Sequence, residues 1–288
     1  MDIIAKFFTE DLMLRVSVAI TTDAIRTMFE SQMPMPLASI ALGRAMTGAV
    51  LMASQLKDGQ RVGIHFNGNG PLGPFFAEAN FEGEARAYCQ NASAVLPLKE
   101  GKLDISGAVG EGILTVTRSQ PFQKEPHRGI VPIFNGEISQ DLAYYLYQSH
   151  QIPSVIALAV SLDTSGNVAA AGGVLIEVMP GATDALITTL EKKSSEAPSL
   201  AKALQQGVSP LELASPYCHD SPLISVEHPH QVKFVCRCSR ERVHRTLTLM
   251  GRATLAEMAL KGEDVPVTCE FCGKQFTITV DEVRKLIS

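Results

Sequence analysis

The chain runs VKFVCRCSRERVHRTLTLMGRATLAEMALKGEDVPVTCEFCGK from Val232 to Lys274, and this stretch decides how the C-terminal part folds. Four of the six cysteines lie here in two close-spaced pairs with thirty residues between them: Cys236 and Cys238, then Cys269 and Cys272. Four thiolates that can converge on one point are a ligand set that Zn²⁺ takes in structural sites. The spacing matches none of the ferredoxin-type iron–sulfur motifs. The sequence therefore predicts one zinc ion per chain, held by these four sulfurs.

The energetics of this region favour a redox-sensitive site. Residues 232–288 are only 57 in number, a size at which a hydrophobic core alone is marginal. A structural zinc ion supplies roughly 10–16 kcal/mol of apparent folding free energy. A disulfide that closes a loop of three or four residues contributes only about 1.5–2 kcal/mol. If an oxidant converted the four thiolates into two such local disulfides, this region should unfold, and thiols should reverse the change.

The first pair has a spacing that differs from an ordinary zinc ribbon, because it is CxC and not CxxC. Two residues at positions i and i+2 of an extended chain lie about 6.6–7.2 Å apart, at or beyond the usual range for a disulfide. Joining Cys236 to Cys238 would therefore bend the backbone and couple oxidation to local unfolding. The spacing alone leaves a purely structural zinc site open as the alternative.

Composition and charge narrow the class of protein. The 288 residues are 45% hydrophobic and 19% charged, which is typical of a folded globular chain. The net charge of −5 argues against a general polyanion binder. Residues 232–288 carry ten Lys and Arg against seven Asp and Glu, whereas the remainder carries 15 against 23. This change of sign predicts a domain boundary near residue 231.

Residues 36–56 are the one candidate for a membrane span. The stretch has about the right length, but Arg44 and Thr47 interrupt it, and Gly43 and Gly48 weaken it. We therefore expect a buried core helix and no membrane. Residues 1–15 lack the basic and apolar regions of a signal peptide, so we expect a reducing compartment.

Residues 1–180 are expected to form a core domain of the α+β class, with a mixed or antiparallel sheet and packed helices. Strands are predicted at 61–66, 75–79, 112–118, 155–160 and 173–178. A second helix is predicted from Ser139 as N-cap, with Ile138, Leu142, Tyr145 and Leu146 on one apolar stripe. The strands come in hairpin-like pairs and not in a regular β-α-β alternation, which favours antiparallel pairing.

Residues 181–231 are expected to form a helical linker. Thr183 is a candidate N-cap, Pro198 a candidate first helical residue, and Ser209-Pro210-Leu211-Glu212 has the capping-box pattern. Residues 215–231 hold three prolines and show no period. Such short helices are marginal alone, so this linker needs a neighbour to pack against.

The chain resembles the redox-regulated holdase chaperones of the 33-kDa heat shock protein family. The matching landmarks, in family order, are ALGR (41–44), GPLGP (70–74), AEAN (77–80), GEAR (83–86), GEI (136–138), DLAYY (141–145), QIPS (151–154), GG (172–173) to MPG (179–181), and the CxC and CxxC pairs. They cover nearly the whole chain. One departure is Ala87, where the family has glycine, and we expect it to affect only a local turn.

The resemblance implies a core domain (1–180), a redox-sensitive helical linker (181–231) and a small C-terminal zinc-binding redox-switch domain (232–288). In the reduced, inactive form, zinc would sit on Cys236, Cys238, Cys269 and Cys272. Oxidation would form the Cys236–Cys238 and Cys269–Cys272 disulfides, release zinc, and unfold the switch and linker. The protein would then hold unfolding clients without ATP, dimerise, and pass clients to ATP-driven foldase chaperones in the cytoplasm. It would not be an enzyme.

The rival interpretation is a zinc module that binds nucleic acid. Five arginines make this region basic: Arg237, Arg240, Arg242, Arg245 and Arg252. Few aromatic residues interleave with them and the rest of the chain is acidic, so a charged patch that serves the metal site is preferred. Tight, salt-sensitive nucleic-acid binding by the reduced protein would favour the rival.

Four other signals are set aside. The GxGxxG match at 68–73 is expected to be a hairpin turn, because the residues after it favour a strand. A thioredoxin-like role for Cys269 and Cys272 lacks a following helix. Cys89 and Cys218 are expected to be inert. His219 and His244 are expected to be bystanders, because four cysteines already complete the zinc site.

Overall fold

The apolar stretch that begins at Pro36 forms the central helix of the larger of two units. The computed structural model describes residues 1–123, 125–218, 221–226 and 229–287. The chain divides into Met1–Phe234 and Val235–Ser288. Residues 181–231 belong to the first unit, and the three-part functional division stays a prediction.

The first sheet of the larger unit is antiparallel throughout. Its main strands are β1 (Ile3–Thr9), β2 (Leu14–Ile20), β8 (Ser154–Leu162) and β9 (Val168–Val178). Two short strands, β10 (Leu223–Ser225) and β11 (His230–Gln231), pair with β1 on the side away from β2. The spatial order is β10-β1-β2-β9-β8.

The second sheet contains the hairpins that the sequence predicts. Its strands are β3 (Arg61–Gly68), β4 (Phe75–Asn80), β5 (Glu84–Cys89), β6 (Gly112–Ser119), β7 (His127–Pro132) and the short β12 (Lys233–Phe234). The order is β12-β5-β4-β3-β6-β7, and every pair is antiparallel except β12 with β5. The α+β class with a mixed or antiparallel sheet is confirmed.

Helix α2 (Pro36–Ala53) packs against strands of both sheets. Among the described residues, α2 is the one helix that is long and apolar enough to cross a membrane. Of its apolar window, 83% is buried inside the fold. Its glycines permit close packing: a Cβ at Gly48 would lie 2.5 Å from Leu142 Cδ1. The prediction of a core helix is confirmed.

Three further helices complete the core: α1 (Thr22–Gln32), α3 (Ile105–Val109) and α4 (Ile138–His150). The apolar stripe of α4 is buried as predicted. The predicted N-cap at Ser139 is wrong, because Glu137 occupies that position and α4 already begins at Ile138. The buried carboxylate of Asp141 instead accepts the backbone N–H groups of Phe134 and Asn135 at 2.7 and 3.1 Å, and so fixes the loop that enters the helix.

The linker helices are α5 (Asp184–Glu196), α6 (Leu200–Gln205) and α7 (Pro210–Ala214), followed by one 3₁₀ turn (Ser215–Tyr217). Thr183 caps α5, and Ser209 with Glu212 forms the predicted capping box of α7. Pro198 is not the first helical residue, because Ser199 caps α6 one position later. The helices pack on the first sheet, as the following residues share one hydrophobic cluster: Leu14, Val16, Val18, Val174, Ile176, Leu190, Leu200, Leu213 and Tyr217.

Two local expectations need correction. The aperiodic stretch after residue 215 contains β10 and β11, which are too short to show a sequence period and form by pairing with an existing strand. Ala87 does not lie in a turn. It is fully buried in β5 opposite Ala77, a position that a small residue fills within a strand. The GxGxxG segment is the β3–β4 hairpin connection, as predicted.

The smaller unit contains α8 (Arg240–Leu249), α9 (Arg252–Lys261), the hairpin β13 (Val265–Thr268) and β14 (Gln275–Ile278), and α10 (Val280–Ile287). Its described part has a hydrophobic cluster of five buried residues: Leu247, Leu255, Phe276, Ile278 and Val283. Because this cluster is small, packing alone offers the unit limited stability.

Candidate metal centre

Local structure presents each cysteine pair at the end of a regular element. Cys236 and Cys238 lie in an irregular segment that ends at Ser239, whose hydroxyl accepts the backbone N–H of Arg242 and caps α8. The second pair occupies the turn between β13 and β14. Gly273 follows it with a left-handed φ of 66° and donates its backbone N–H to the Cys269 carbonyl at 2.8 Å. The turn therefore keeps two thiols on one side.

All four sulfurs meet in one cluster. Cys236 Sγ lies 3.7 Å from Cys269 Sγ, and Cys238 Sγ lies 3.4 Å from Cys272 Sγ. The four ligand atoms lie within 4.8 Å of one another. Tetrahedral zinc with bonds of about 2.3 Å places its sulfurs roughly 3.8 Å apart. The donor set and the separations therefore fit a metal ion such as zinc.

Three thiols of the cluster have shifted pKa values, and the shifts differ in direction. Burial raises the pKa of Cys236, but the Cys238 backbone N–H and the neighbouring thiols donate hydrogen bonds that outweigh it, so the net pKa is lowered. The pKa values of Cys238 and Cys272 are raised, chiefly by burial. A nearby cation is what would ionise all of them, because positive charge stabilises thiolates.

Glu282 is a residue that the sequence reasoning missed. Its carboxylate accepts two hydrogen bonds from the Arg240 guanidinium at 2.7 Å each, and one from the Thr279 backbone N–H at 2.8 Å. The ion pair ties the first turn of α8 to the start of α10. Thr279 and Glu282 have the spacing of a capping box, which is the signal that could have identified Glu282.

His244 and Arg240 are not part of the sulfur cluster. His244 Nε2 is 3.3 Å from Glu282 Oε1, and His244 is not one of the clustered groups. His219 lies outside the described residues. Arg240 is engaged by Glu282 and by the Thr277 carbonyl, so it contributes little to a free basic surface. The nucleic-acid interpretation therefore gains no support from Arg240.

The remaining cysteines also lie outside the cluster. Cys218 is 2% exposed, and burial raises its pKa to about 12, so its thiol is protected and inert in this fold. Cys89 is half-buried in β5. After the CxxC turn the chain enters β14 and not a helix, so the helix N-terminus that a thioredoxin-like dithiol needs is absent from this described segment.

Comparison with known proteins agrees with this architecture. The family model "Hsp33 protein" matches residues 2–279. A 33 kDa chaperonin of Geobacter sulfurreducens is 37% identical over 99% of this chain and 94% of its own length. One from Staphylococcus aureus is 33% identical over 99% of this chain and 98% of its own.

A solved structure shares the whole fold. The crystal structure of the 33 kDa chaperonin (heat shock protein 33 homolog) of Thermotoga maritima matches with a TM-score of 0.86 and 28% identity, over 99% of this chain and 97% of that one. Sequence and fold thus agree along the full length. The chain belongs to the Hsp33 family of heat shock chaperones.

Proposed function

We propose that this protein is a redox-regulated, ATP-independent holdase that is inactive when reduced and zinc-bound and active when oxidised. The observation that carries the proposal is the sulfur cluster: four cysteines within 4.8 Å of one another, in a unit whose described hydrophobic cluster has only five buried members. Such a unit depends on its metal site for most of its stability. Chemistry at the sulfurs then controls whether the unit stays folded.

The ligands are Cys236, Cys238, Cys269 and Cys272. When bound, zinc would hold them as thiolates and join the segment before α8 to the β13–β14 turn. Oxidation forms the Cys236–Cys238 and Cys269–Cys272 disulfides. Each pair of thiolates loses two electrons, which one molecule of hydrogen peroxide takes up together with two protons from the solvent as it becomes two molecules of water. A disulfide sulfur is a poor zinc ligand, so the cross-link between the two pairs is lost.

The energy balance then favours unfolding of the smaller unit. A structural zinc site is worth roughly 10–16 kcal/mol, whereas two disulfides that close three- and four-residue loops contribute about 1.5–2 kcal/mol each. Neither proposed disulfide connects one pair to the other. Thiol reductants would restore the ligands and reverse the switch.

Client capture would use the apolar surface beneath the linker. Helices α5 to α7 cover one face of the first sheet, where Val16, Val18 and Ile176 are almost fully buried. The linker's contribution includes Leu190 and Leu213, each 2% exposed. If the linker separates from the sheet, both surfaces become available to the apolar segments of an unfolding protein.

The remaining parts of the proposal follow from the family resemblance. The active form is a homodimer, it has no enzymatic activity, and it acts in the cytoplasm and passes clients to ATP-driven foldases. Neither a membrane nor a nucleic acid is a partner in this account.

The test is light scattering of thermally unfolding citrate synthase in the presence of reduced or oxidised protein. We expect suppression of aggregation by the oxidised protein only, together with release of about one zinc ion per chain. Equal suppression by both forms would refute the switch. A protein that retains stoichiometric zinc after full oxidation of the four thiols would refute the metal mechanism.

A further inference from the structure

Strand β1 is paired very differently on its two sides. On the inner side it pairs with β2 continuously from Ile3 to Phe8. On the outer side it is covered by β10, which pairs with residues 7–9, and by β11, which pairs with residues 3 and 4. We name residues 222–226 and 229–232 the edge cover. The two described strands of the cover pair with separate parts of β1, whereas β2 pairs with β1 continuously.

Backbone hydrogen bonds show which groups of β1 face the edge cover. The Lys6 carbonyl accepts the Val226 N–H at 3.1 Å, the Asp2 carbonyl accepts the Val232 N–H at 3.0 Å, and the Glu10 N–H donates to the Pro222 carbonyl at 2.9 Å. In an antiparallel strand the N–H and C=O of one residue point to the same side, and successive residues alternate. The even-numbered residues of β1 therefore present their backbone groups outward, and the odd-numbered residues face β2.

The sequence of β1 would favour the binding of another extended chain if its outer edge were uncovered. Its seven residues, IIAKFFT, are rich in β-branched and aromatic side chains and carry one charge. A strand of this kind with free backbone groups is a template for another extended chain. In the described structure the edge cover occupies that template.

The edge cover buries little apolar surface around Ile224 and Val226, whereas Val232 at its end is buried in the main hydrophobic cluster, and the cover closely precedes the smaller unit in the sequence. Ile224 is 51% exposed and Val226 is 47% exposed, so little apolar area stabilises their positions. The paired segments are three and two residues long, and Pro222 and Pro229 flank them in sequence. The chain enters the smaller unit at Val235, directly after β12.

We propose that the outer edge of β1 is a client-binding site, which takes an extended segment of an unfolded polypeptide as an added antiparallel strand after the edge cover leaves. The inference rests on the proposed function, because oxidation must release the cover. Main-chain hydrogen bonds supply affinity without sequence specificity, which suits a chaperone with many clients. The edge cover is an example of the kind of segment that would bind there. Its residues Leu223-Ile224-Ser225-Val226 are extended and largely apolar, and their side chains alternate between the two faces of the sheet.

Residue-resolved amide hydrogen exchange tests the site directly. The samples are the reduced zinc-bound protein, the oxidised protein, and the oxidised protein with reduced, carboxymethylated α-lactalbumin as a permanently unfolded client. We expect the amides of Ile4, Lys6 and Phe8 to exchange about tenfold or more faster on oxidation, and to become protected again with the client. The amides of Ala5 and Phe7, which face β2, are the internal control and should stay protected throughout.

A substitution pair tests the contribution to binding. Proline is tolerated at an edge strand where its missing N–H faces outward, so Lys6→Pro removes one outward donor and obstructs an added strand. Lys6→Ala is the matched control, since it removes the same side chain, including its contact with the Phe81 ring, and keeps the N–H. We expect oxidised Lys6→Pro to bind the client about fivefold more weakly than Lys6→Ala. Circular dichroism of both variants would verify that the first sheet is intact.

Failure of this inference can be distinguished from failure of the proposed function. If the outward amides stay protected after oxidation, or open but are not protected by the client, the edge is not the site, although aggregation suppression would persist. If protection rises with protein concentration in the absence of client, a second copy occupies the edge and the inference is wrong. If the oxidised protein fails to suppress aggregation, the proposed function itself is refuted.

Discussion

Glu282 contacts groups from two helices of the smaller unit, and these contacts depend on the negative charge of its carboxylate. The Arg240 guanidinium and the Thr279 backbone N–H hold the pKa of this carboxyl well below its ordinary value of 4.5. A carboxyl whose folded-state pKa is depressed stabilises the fold above its unfolded-state pKa, and this stabilisation is lost as the pH falls through the folded-state pKa. The full contribution is therefore present at neutral pH.

We predict that Glu282→Gln lowers the free energy of unfolding of the smaller unit at pH 7, and that the difference from the unaltered protein shrinks below about pH 4.5. The measurement is denaturant unfolding of the reduced protein at several pH values, with zinc retention measured in each sample. Glu257→Gln, at an exposed position on α9, is the control and should have little effect. A pH-independent difference would contradict the electrostatic explanation.

Single cysteine replacements separate the cluster from the other thiols. We predict that Cys236→Ser weakens zinc binding by more than about 100-fold, because even the loss of a group that only orients a ligand costs 10–100-fold. Cys89→Ser, outside the cluster, should leave zinc affinity unchanged. Competition with a chromogenic chelator measures both variants. Equal affinities would remove Cys236 from the ligand set.

At the scale of elements, helix α7 offers a matched pair of leucines. Leu213 is 2% exposed and packs with the apolar residues of the first sheet, whereas Leu211, two residues earlier, is 43% exposed. We predict that Leu213→Ala weakens attachment of the linker by about 2–5 kcal/mol, the usual range for a buried leucine. Leu211→Ala should have little effect. The expected readout is holdase activity at a lower oxidant dose for Leu213→Ala only, and identical dose curves would contradict it.

The reactivity of Cys218 would show whether the linker has separated from the first sheet. Burial raises its pKa to about 12, and exposure would return it to about 8.5. Because the thiolate is the reactive form, its population at pH 8 should rise roughly a thousandfold when the linker separates. We predict slow alkylation of Cys218 by iodoacetamide in the reduced protein and rapid alkylation after oxidation, as measured by peptide mass spectrometry. Unchanged slow alkylation would show that the linker stays in place.

The sequence predicted those elements whose signals are local. The Ser209 capping box, the hairpin of β3 and β4 and the apolar stripe of α4 each depend on residues close in the chain. Short strands such as β10 and β12 could not be predicted, because they exist only through pairing with distant edges. A serine before an apolar stripe is the usual start signal and predicts Ser139 as the cap, but α4 begins at Ile138 after Glu137, and Asp141 accepts a backbone hydrogen bond from the preceding loop.

The sequence is enough to predict the metal ligands of the candidate site, but not the contacts that hold the surrounding elements together. The spacing of the four cysteines predicts the sulfur cluster, because few other kinds of site use two close-spaced cysteine pairs. The contacts of Glu282 with Arg240 join residues 42 positions apart, which no local pattern reveals. The edge of β1 likewise became visible only with the strand register.

At the scale of the molecule, the two units differ in what stabilises them. Met1–Phe234 has two extensive hydrophobic clusters, one around α2 and one under the linker. Val235–Ser288 has one small described cluster and the four sulfurs. Loss of the metal site should therefore disorder the smaller unit and leave the sheets around α2 folded, since their packing involves none of the four cysteines.

The most direct measurement is hydrogen exchange across the chain during stepwise oxidation, with zinc and free thiols counted in each sample. The account predicts that protection of residues 235–287 falls in proportion to zinc released, that residues 181–218 follow, and that α2 stays protected. If the fully oxidised, zinc-free protein keeps residues 235–287 as protected as the reduced protein does, the central claim is wrong.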